Sequence, residues 1–263
     1  MKIAILGAGN LGLSIAKGLL VSNAYNTLYL TKRKTEAIQE YSEYENVVVT
    51  KSNREAVQNS EILILAVQPK QIEIVLQEIK NELHERHVII STITGVSISR
   101  IEDLVGDHLI IRAMPNTAIA VKKSMTCLCS NEKGQKQLQV AGAIFDKIGT
   151  TMVIPENKMQ AATVICASGI AFWMRLIRAT TQSAVQLGFD AKEAQQLSMQ
   201  TCLGAASLLI ESGKHPEEEI DKVTTPMGCT IEGLNEMEHH GLSSSLIRGM
   251  QASFKKINNI SEK

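Results

Sequence analysis

The sequence predicts an α/β chain: a doubly wound, mainly parallel sheet followed by an all-helical domain. Three observations predict it. Short apolar runs alternate with helical patterns from Met1 to about Pro155. The runs are apolar almost without interruption, as strands covered on both faces of a parallel sheet are. After Pro155 strand signals fade and helical patterns take over. The domains are therefore drawn at 1–155 and 156–263, and a chain of 263 residues suits one or two of them.

Ile3 to Leu6 reads as the first strand. Glycines follow at positions 7, 9 and 12, and Leu13, Ala16, Leu19 and Leu20 then mark one side of a helix. A strand, a tight turn and a helix form the setting in which G-x-G-x-x-G carries meaning. Gly7 permits the sharp turn, Gly9 lets a pyrophosphate approach the backbone, and Gly12 lets the helix lie close on the strand. The helix start, Asn10-Leu11-Gly12, points amides and a positive dipole end toward phosphates. The alternative is a glycine-rich turn that binds nothing.

Leu28 to Leu30, Val47 to Val49, Ile62 to Val67, Val88 to Ile90 and Leu109 to Ile111 repeat the strand pattern. Helices fit between them, as in Gln71 to Leu83, where Ile72, Val75, Leu76 and Ile79 recur at helical spacing. In such a sheet a ligand lies beyond the carboxyl ends of the strands. The loops there are Ala66-Val67-Gln68-Pro69, whose proline starts the next helix, and Ser91 to Gly95, including Thr94 and Gly95. Met114-Pro115-Asn116-Thr117 follows the next strand as a turn. Its Asn and Thr either reach a nicotinamide amide or cap the turn.

The end of the second strand bears on the cofactor. Proteins that select NAD usually hold the ribose hydroxyls with an acidic residue there. Here the strand runs Leu30-Thr31-Lys32-Arg33-Lys34, with no carboxylate before Glu36. A hydroxyl followed by cations suits the extra phosphate of NADP, which an arginine grips with two parallel hydrogen bonds. The reading is NADPH/NADP, with NADH less favoured and a solvated basic turn as the alternative.

Composition narrows the function classes. Hydrophobic residues make up 44% and charged residues 21% of the chain, and the formal net charge is zero. Neither a nucleic acid nor a membrane surface is expected as a partner. No apolar run approaches the roughly 18 to 20 residues of a membrane span, and the first apolar stretch is too short for a signal peptide. The cysteines, at 127, 129, 166, 202 and 229, show no C-x-x-C pair and no zinc spacing. No metal is expected, and the thiols point to a reducing cytoplasm.

In the second half, helices are expected over about 157–166, 170–187, 191–212, 227–238 and 242–258. Gly188, Gly213 and Gly241 stand where helix ends need positive φ, and Asp190 with Glu193 makes a capping box. The long helix after Asp190 carries Ala194, Leu197, Cys202, Ala205 and Leu208 with small residues all round. A helix apolar on most sides is buried on most sides, so part of its burial is expected from a second subunit. One polar stretch, Val223 to Glu232, interrupts this domain. Thr225-Pro226 reads as a helix cap and first turn, leaving amides of Met227, Gly228 and Cys229 open to an anion such as a carboxylate. A well-capped helix with no ligand is the alternative.

At this point the chain resembles the pyrroline-5-carboxylate reductase family. The resemblance runs through Ile5 to Gly12, Ala66 to Pro69, Gly95-Val96, Arg112 to Thr117, Leu203 to Ala206, Glu211 to Pro216 and Val223 to Thr230. It implies a Rossmann-like domain, an all-helical dimerisation domain, and a homodimer, with an assembly of dimers as an extension. It also implies an active site between the cofactor of one subunit and the helices of its neighbour. By the same resemblance Asn53 lies near the adenosine end of the cofactor. The segment holding Val223, Thr225, Met227, Gly228, Cys229 and Thr230 binds the substrate carboxylate, with the Thr230 hydroxyl as the catalytic group near the imine nitrogen.

Departures from the family pattern gather on the substrate side. Met227 replaces the first glycine of a P-G-G step, Ile170 and Phe172 replace a proline and a tyrosine, and Arg178 and Gln182 stand at acidic positions. The implied reaction is NADPH-dependent reduction of a cyclic imine to proline, an oxidoreduction on a CH–NH group. The alternatives are a reductase of a related imine or keto substrate, and a catalytically idle nucleotide-binding dimer.

Overall fold

The computed structural model describes residues 1–23 and 25–261. Among these residues a single sheet runs through β1 (Lys2–Leu6), β2 (Thr27–Thr31), β3 (Val47–Thr50), β4 (Ile62–Leu65), β5 (Val88–Ser91), β6 (Leu109–Met114), β7 (Ser124–Ser130) and β8 (Gly149–Val153). Their order is β3-β2-β1-β4-β5-β6-β7-β8. Every pair is parallel except β6 with β7. The order reverses beside β1, where β2 lies on one side and β4 on the other. That reversal opens a crevice at the carboxyl ends of β1 and β4.

Alternation along each strand feeds two cores. Ile3 and Ile5 join Leu28, Leu30, Ile64, Ile90 and Ile111 on one face, under α1 (Asn10–Ser22). Ala4 and Leu6 join Leu63, Leu65 and Ile89 on the other face. There α2 (Asn53–Gln58), α3 (Ile72–Ile79) and α4 (Ile98–Val105) supply Val57, Leu76 and Ile101. The first face also takes Leu138, Ile144 and Phe145 from α5 (Leu138–Phe145). Each side chain of this size contributes about 1.5–3 kcal/mol when fully buried.

Two strands exceed the sequence reading. β7 and β8 extend the sheet past the six expected strands because their burial does not appear as an apolar run. Ser124 and Thr126 are buried polar residues of β7, and Met152 and Val153 of edge strand β8 are exposed. The helix expected over 157–166 is also different. It is a short α6 (Met159–Ala162) that widens into a π turn over Thr163–Ser168 and runs on as α7 (Gly169–Gln186). An 18-residue window within Glu156–Gln186 reaches a mean hydropathy of 1.4, so by length and composition this helix is apolar enough to cross a membrane. Thr163, Ser168 and Gly169 break it into short apolar pieces, which is why no long run shows in the sequence.

The chain divides into two compact units, one of Met1–Ser168 with the segment from Ser253 onward, the other of Gly169–Ala252. The second unit is helical: α7, then α8 (Ala191–Ser212), α9 (Pro216–Val223), α10 (Cys229–His239) and the start of α11 (Leu242–Ser261). Gly188, Gly213 and Gly241 have φ of 107°, 62° and 76°. Asp190 and Glu193 form the expected capping box. Helix α9 was not expected. Its first turn holds Glu217, Glu218 and Glu219 behind a His215 cap, so dipole and cap, not an apolar stripe, favour it.

Candidate functional site

At the crevice the backbone is shaped by three glycines with different duties. Gly7 has φ 102°, and a Cβ there would lie 2.6 Å from Val67 Cγ1 and 2.9 Å from the Ala66 carbonyl oxygen. A Cβ on Gly12 would lie 2.4 Å from the Gly7 carbonyl oxygen, so only glycine lets α1 approach the β1 turn this closely. Gly9 is the opposite case. It is the N-cap of α1, no side chain caps it, and a Cβ there would meet nothing within 4 Å. The first-turn amides of α1 therefore face open space, which suits an anion.

That space belongs to a cavity of about 400 Å³ lined by Gly7, Gly9, Thr31, Lys32, Arg33, Asn53, Ala66, Val67 and Gln68. Asn10, Leu11 and Gly12 follow Gly9 as the first turn of α1, and Pro69 begins the helical turn after Gln68. Sequence reasoning missed other lining residues, chiefly Lys51, Gln71 and Glu78. Lys32, Arg33 and Lys51 thus share the cavity with one carboxylate, Glu78. Arg33 has no ion-pair partner among the described residues.

A chain of hydrogen bonds crosses this end of the cavity. The Gly7 N–H donates to Thr31 Oγ1 at 3.2 Å, and the Thr31 hydroxyl donates to Asn53 Oδ1 at 2.7 Å. Asn53 Nδ2 in turn donates to Glu78 Oε2 at 2.9 Å. The amide of Asn53 is thereby fixed in orientation by residues from β2 and α3.

The later strand-end residues have other partners. Thr94 and Gly95, the latter with φ 80°, form the turn before α4. Met114 and Pro115 are buried. Asn116 caps its turn by accepting from Ala118 N at 2.9 Å, and its Nδ2 donates to the Cys166 carbonyl at 2.9 Å. None of these five lines the cavity at Gly9. Arg112 is buried on β6, where Nη1 donates to Glu156 Oε1 at 2.9 Å; the same oxygen accepts from Ile98 N at 2.8 Å.

In the helical unit the Val223–Thr230 stretch folds differently from the sequence reading. Thr225 does not cap a helix. Thr225 to Gly228 form a turn closed by Gly228 N donating to the Thr225 carbonyl at 2.9 Å, with Met227 at φ 56°. The left-handed residue stops the helix from starting at Pro226, so α10 begins at Cys229 with Gly228 as its N-cap. The Gly228 amide is consequently occupied, and the open amides belong to Cys229 and the residues after it. No side chain caps them. Thr230 is half-buried in this first turn, Met227 is 98% exposed, and Val223 ends α9. His215 Nδ1 accepts from Glu217 N at 3.3 Å, so this histidine serves as the cap of α9.

Comparison with known proteins accounts for both units. A family model described as pyrroline-5-carboxylate reductase dimerisation matches residues 156–260. Another, described as NADP oxidoreductase coenzyme F420-dependent, matches residues 2–95. Pyrroline-5-carboxylate reductase 2 of Dictyostelium discoideum is 40% identical over 99% of this chain and 96% of its own length.

The chain belongs to the pyrroline-5-carboxylate reductase family.

Another family member, pyrroline-5-carboxylate reductase 1 of the same organism, is 45% identical over 97% of the chain, and the chain spans 49% of that relative's length. A solved structure of Plasmodium falciparum pyrroline carboxylate reductase with NADP bound superposes with a TM-score of 0.90 at 24% identity. It covers 99% of this chain and 98% of its own, and shows that the fold is shared.

Proposed function

We propose that this chain is an NADPH-dependent reductase of the cyclic imine 1-pyrroline-5-carboxylate, with L-proline as product. The observation that carries the reading is the glycine cradle: Gly7 and Gly12 packed too closely for any side chain, beside open space over Gly9. The residues present fit a phosphorylated dinucleotide. Amides from the first turn of α1 would hold the pyrophosphate, and Thr31, Lys32 and Arg33 the extra phosphate. Asn53, oriented by Thr31 and Glu78, would receive the adenosine end. Gln68, Thr94, Gly95, Met114, Pro115 and Asn116 are assigned to the nicotinamide end. When bound, the cofactor supplies a hydride for the imine carbon.

On the substrate side the open amides of α10 suit a carboxylate, and the stretch comprises Val223, Thr225, Met227, Gly228, Cys229 and Thr230. The Thr230 hydroxyl orients the ring by hydrogen bonding its nitrogen. That nitrogen carries its own proton as an iminium, so no histidine is recruited. Under this reading residues 1–155 bind nucleotide and residues 156–263 bind substrate and dimerise. The family's dimerisation match and the exposed apolar side chains of α7 and α8 support a homodimer, which an assembly of dimers would extend. The cysteines are free thiols, in keeping with a reducing cytoplasm.

Mixing the protein with NADPH and pyrroline-5-carboxylate tests the reading. Turnover is expected. Thr230→Ala should lower kcat while leaving the thermal midpoint in place. Arg33→Ala should weaken NADPH by about 1–3 kcal/mol and NADH far less, as expected of a charge-assisted phosphate contact. Nucleotide binding without turnover overturns the reaction. Activity confined to a related imine or keto acid would favour the substrate-side departures Met227, Ile170, Phe172 and Arg178 as the specificity change. Equal losses for the two cofactors would remove the phosphate role of Arg33.

A further inference from the structure

Two thiols meet where the π turn passes the sheet. Cys127, on β7, is 4% exposed, and Cys166, in the turn at Thr163–Ser168, is partly open to solvent. Their sulfurs lie 4.0 Å apart although the residues are 39 positions apart in the chain. A disulfide needs the sulfurs at about 2.05 Å. Closure would need the sulfurs to approach by about 2 Å, through side-chain rotation and movement of the π turn, a rare local departure from α-helix.

We infer that Cys127 and Cys166 are a redox-modification site that closes to a reversible disulfide under peroxide. The two thiols are unequal. The contact between the sulfurs holds the Cys166 thiol down at about 7, while that same contact and burial push Cys127 up. The thiolate is the attacking form, so Cys166 is the nucleophile and Cys127 the resolving thiol. Cys129 shares a strand face with Cys127 but is pushed up to about 11 by burial, and the sulfur pair at 4.0 Å is Cys127 with Cys166.

The step balances. The Cys166 thiolate attacks one peroxide oxygen, the O–O bond breaks, and hydroxide leaves to become water with a solvent proton. The resulting sulfenic acid is attacked by Cys127; the S–O bond breaks, the S–S bond forms, and the Cys127 proton departs in a second water. Two electrons pass from the sulfurs to the peroxide, and a dithiol reverses the change.

The bond would pin the π turn to β7. Cys166 also carries, on its carbonyl, the side-chain amide of Asn116. Asn116 belongs to the proposed nicotinamide loop, so closure restrains that loop and lowers turnover. This consequence rests on the reductase reading; the cross-link itself does not.

The experiment treats the full chain with hydrogen peroxide, blocks remaining thiols with iodoacetamide and maps peptides by mass spectrometry. A peptide joining 127 to 166 is expected, absent after dithiothreitol and absent in Cys127→Ser and Cys166→Ser. Wild-type protein should lose most of its NADPH-dependent turnover on oxidation and regain it with dithiothreitol, while Cys166→Ser keeps its turnover in peroxide. Free thiols at 127 and 166 after treatment, or cross-linking through Cys129, overturn the site. A 127–166 cross-link with undiminished turnover overturns its control of the reaction. Protein with no turnover before oxidation defeats the reductase reading instead, and the peptide map still decides the cross-link.

Discussion

In the sheet unit Ile3, Ile5, Leu28, Leu30, Ile64 and Ile90 are shut away from water within the chain, whereas in the helical unit Trp173, Leu203, Leu208 and Ile210 remain more than half exposed. Between Gly169 and Ala252 the buried residues are Gly169, Thr181, Ala194 and Ser198, all small. Small side chains let α7 and α8 lie close together, yet they remove little apolar area from water. The sheet unit thus carries its own hydrophobic stabilisation, at about 25 cal/mol per Å² of buried apolar surface. The helical unit leaves that gain to be realised against another surface, and exposed apolar area of this extent marks an association site. Its family match carries a dimerisation description, and the homodimer proposed above would cover that surface with a second copy.

The contrast can be broken at its strongest point. Leu203→Glu on α8 puts a charge where the dimer would bury a leucine. An unpaired buried charge costs about 3–5 kcal/mol, or about a hundredfold or more in the dimer dissociation constant. Sedimentation velocity should show monomer at concentrations where the parent is dimeric; an undisturbed dimer would mean that α8 is not the covered face. Next in size, Ile64→Ala in the centre of the sheet should lower unfolding stability by about 3 kcal/mol through lost burial and a residual cavity. Its dimer dissociation constant should stay in place, which a dilution series checks.

The smallest effect concerns Met227, held at φ 56°. A left-handed conformation costs a residue with a Cβ about 1–2 kcal/mol, and glycine returns about 0.5–1 kcal/mol of that through the freedom of its unfolded chain. Met227→Gly should therefore raise stability by about 0.5 kcal/mol, read as a higher denaturant midpoint with unchanged slope. A lower midpoint would show that the methionine side chain contributes contacts which outweigh its backbone.

Much of the fold was legible because its signals are local. The run Ile3–Leu6, the glycines at 7, 9 and 12 and the stripe on α1 lie within one stretch of chain, and the structure gives Gly7 the turn and Gly12 the close packing that the sequence suggests. β7 and β8 were not legible, since buried Ser124 and Thr126 and exposed Val153 reverse the usual link between polarity and depth. The same holds for α9, which has caps and charges but few apolar residues. At Thr225-Pro226 the local rule misled: it assumes a right-handed residue at 227, and one left-handed residue moves the start of α10 to Cys229. Glu78 could not be found from its neighbours in sequence, because its relation to Asn53 arises only when α3 folds beside α2.

The position of β1 has a consequence for synthesis. It pairs with β2 on one side and with β4 on the other, and both strands follow it in the chain. As the polypeptide leaves the ribosome, Lys2–Leu6 can zip to Thr27–Thr31 early, but its second edge stays bare until Ile62–Leu65 emerges. Parallel pairing across such intervals is slow, and an unpaired apolar edge invites partners from other chains. Growing chains of this protein are therefore most exposed to aggregation in the interval between these two pairings.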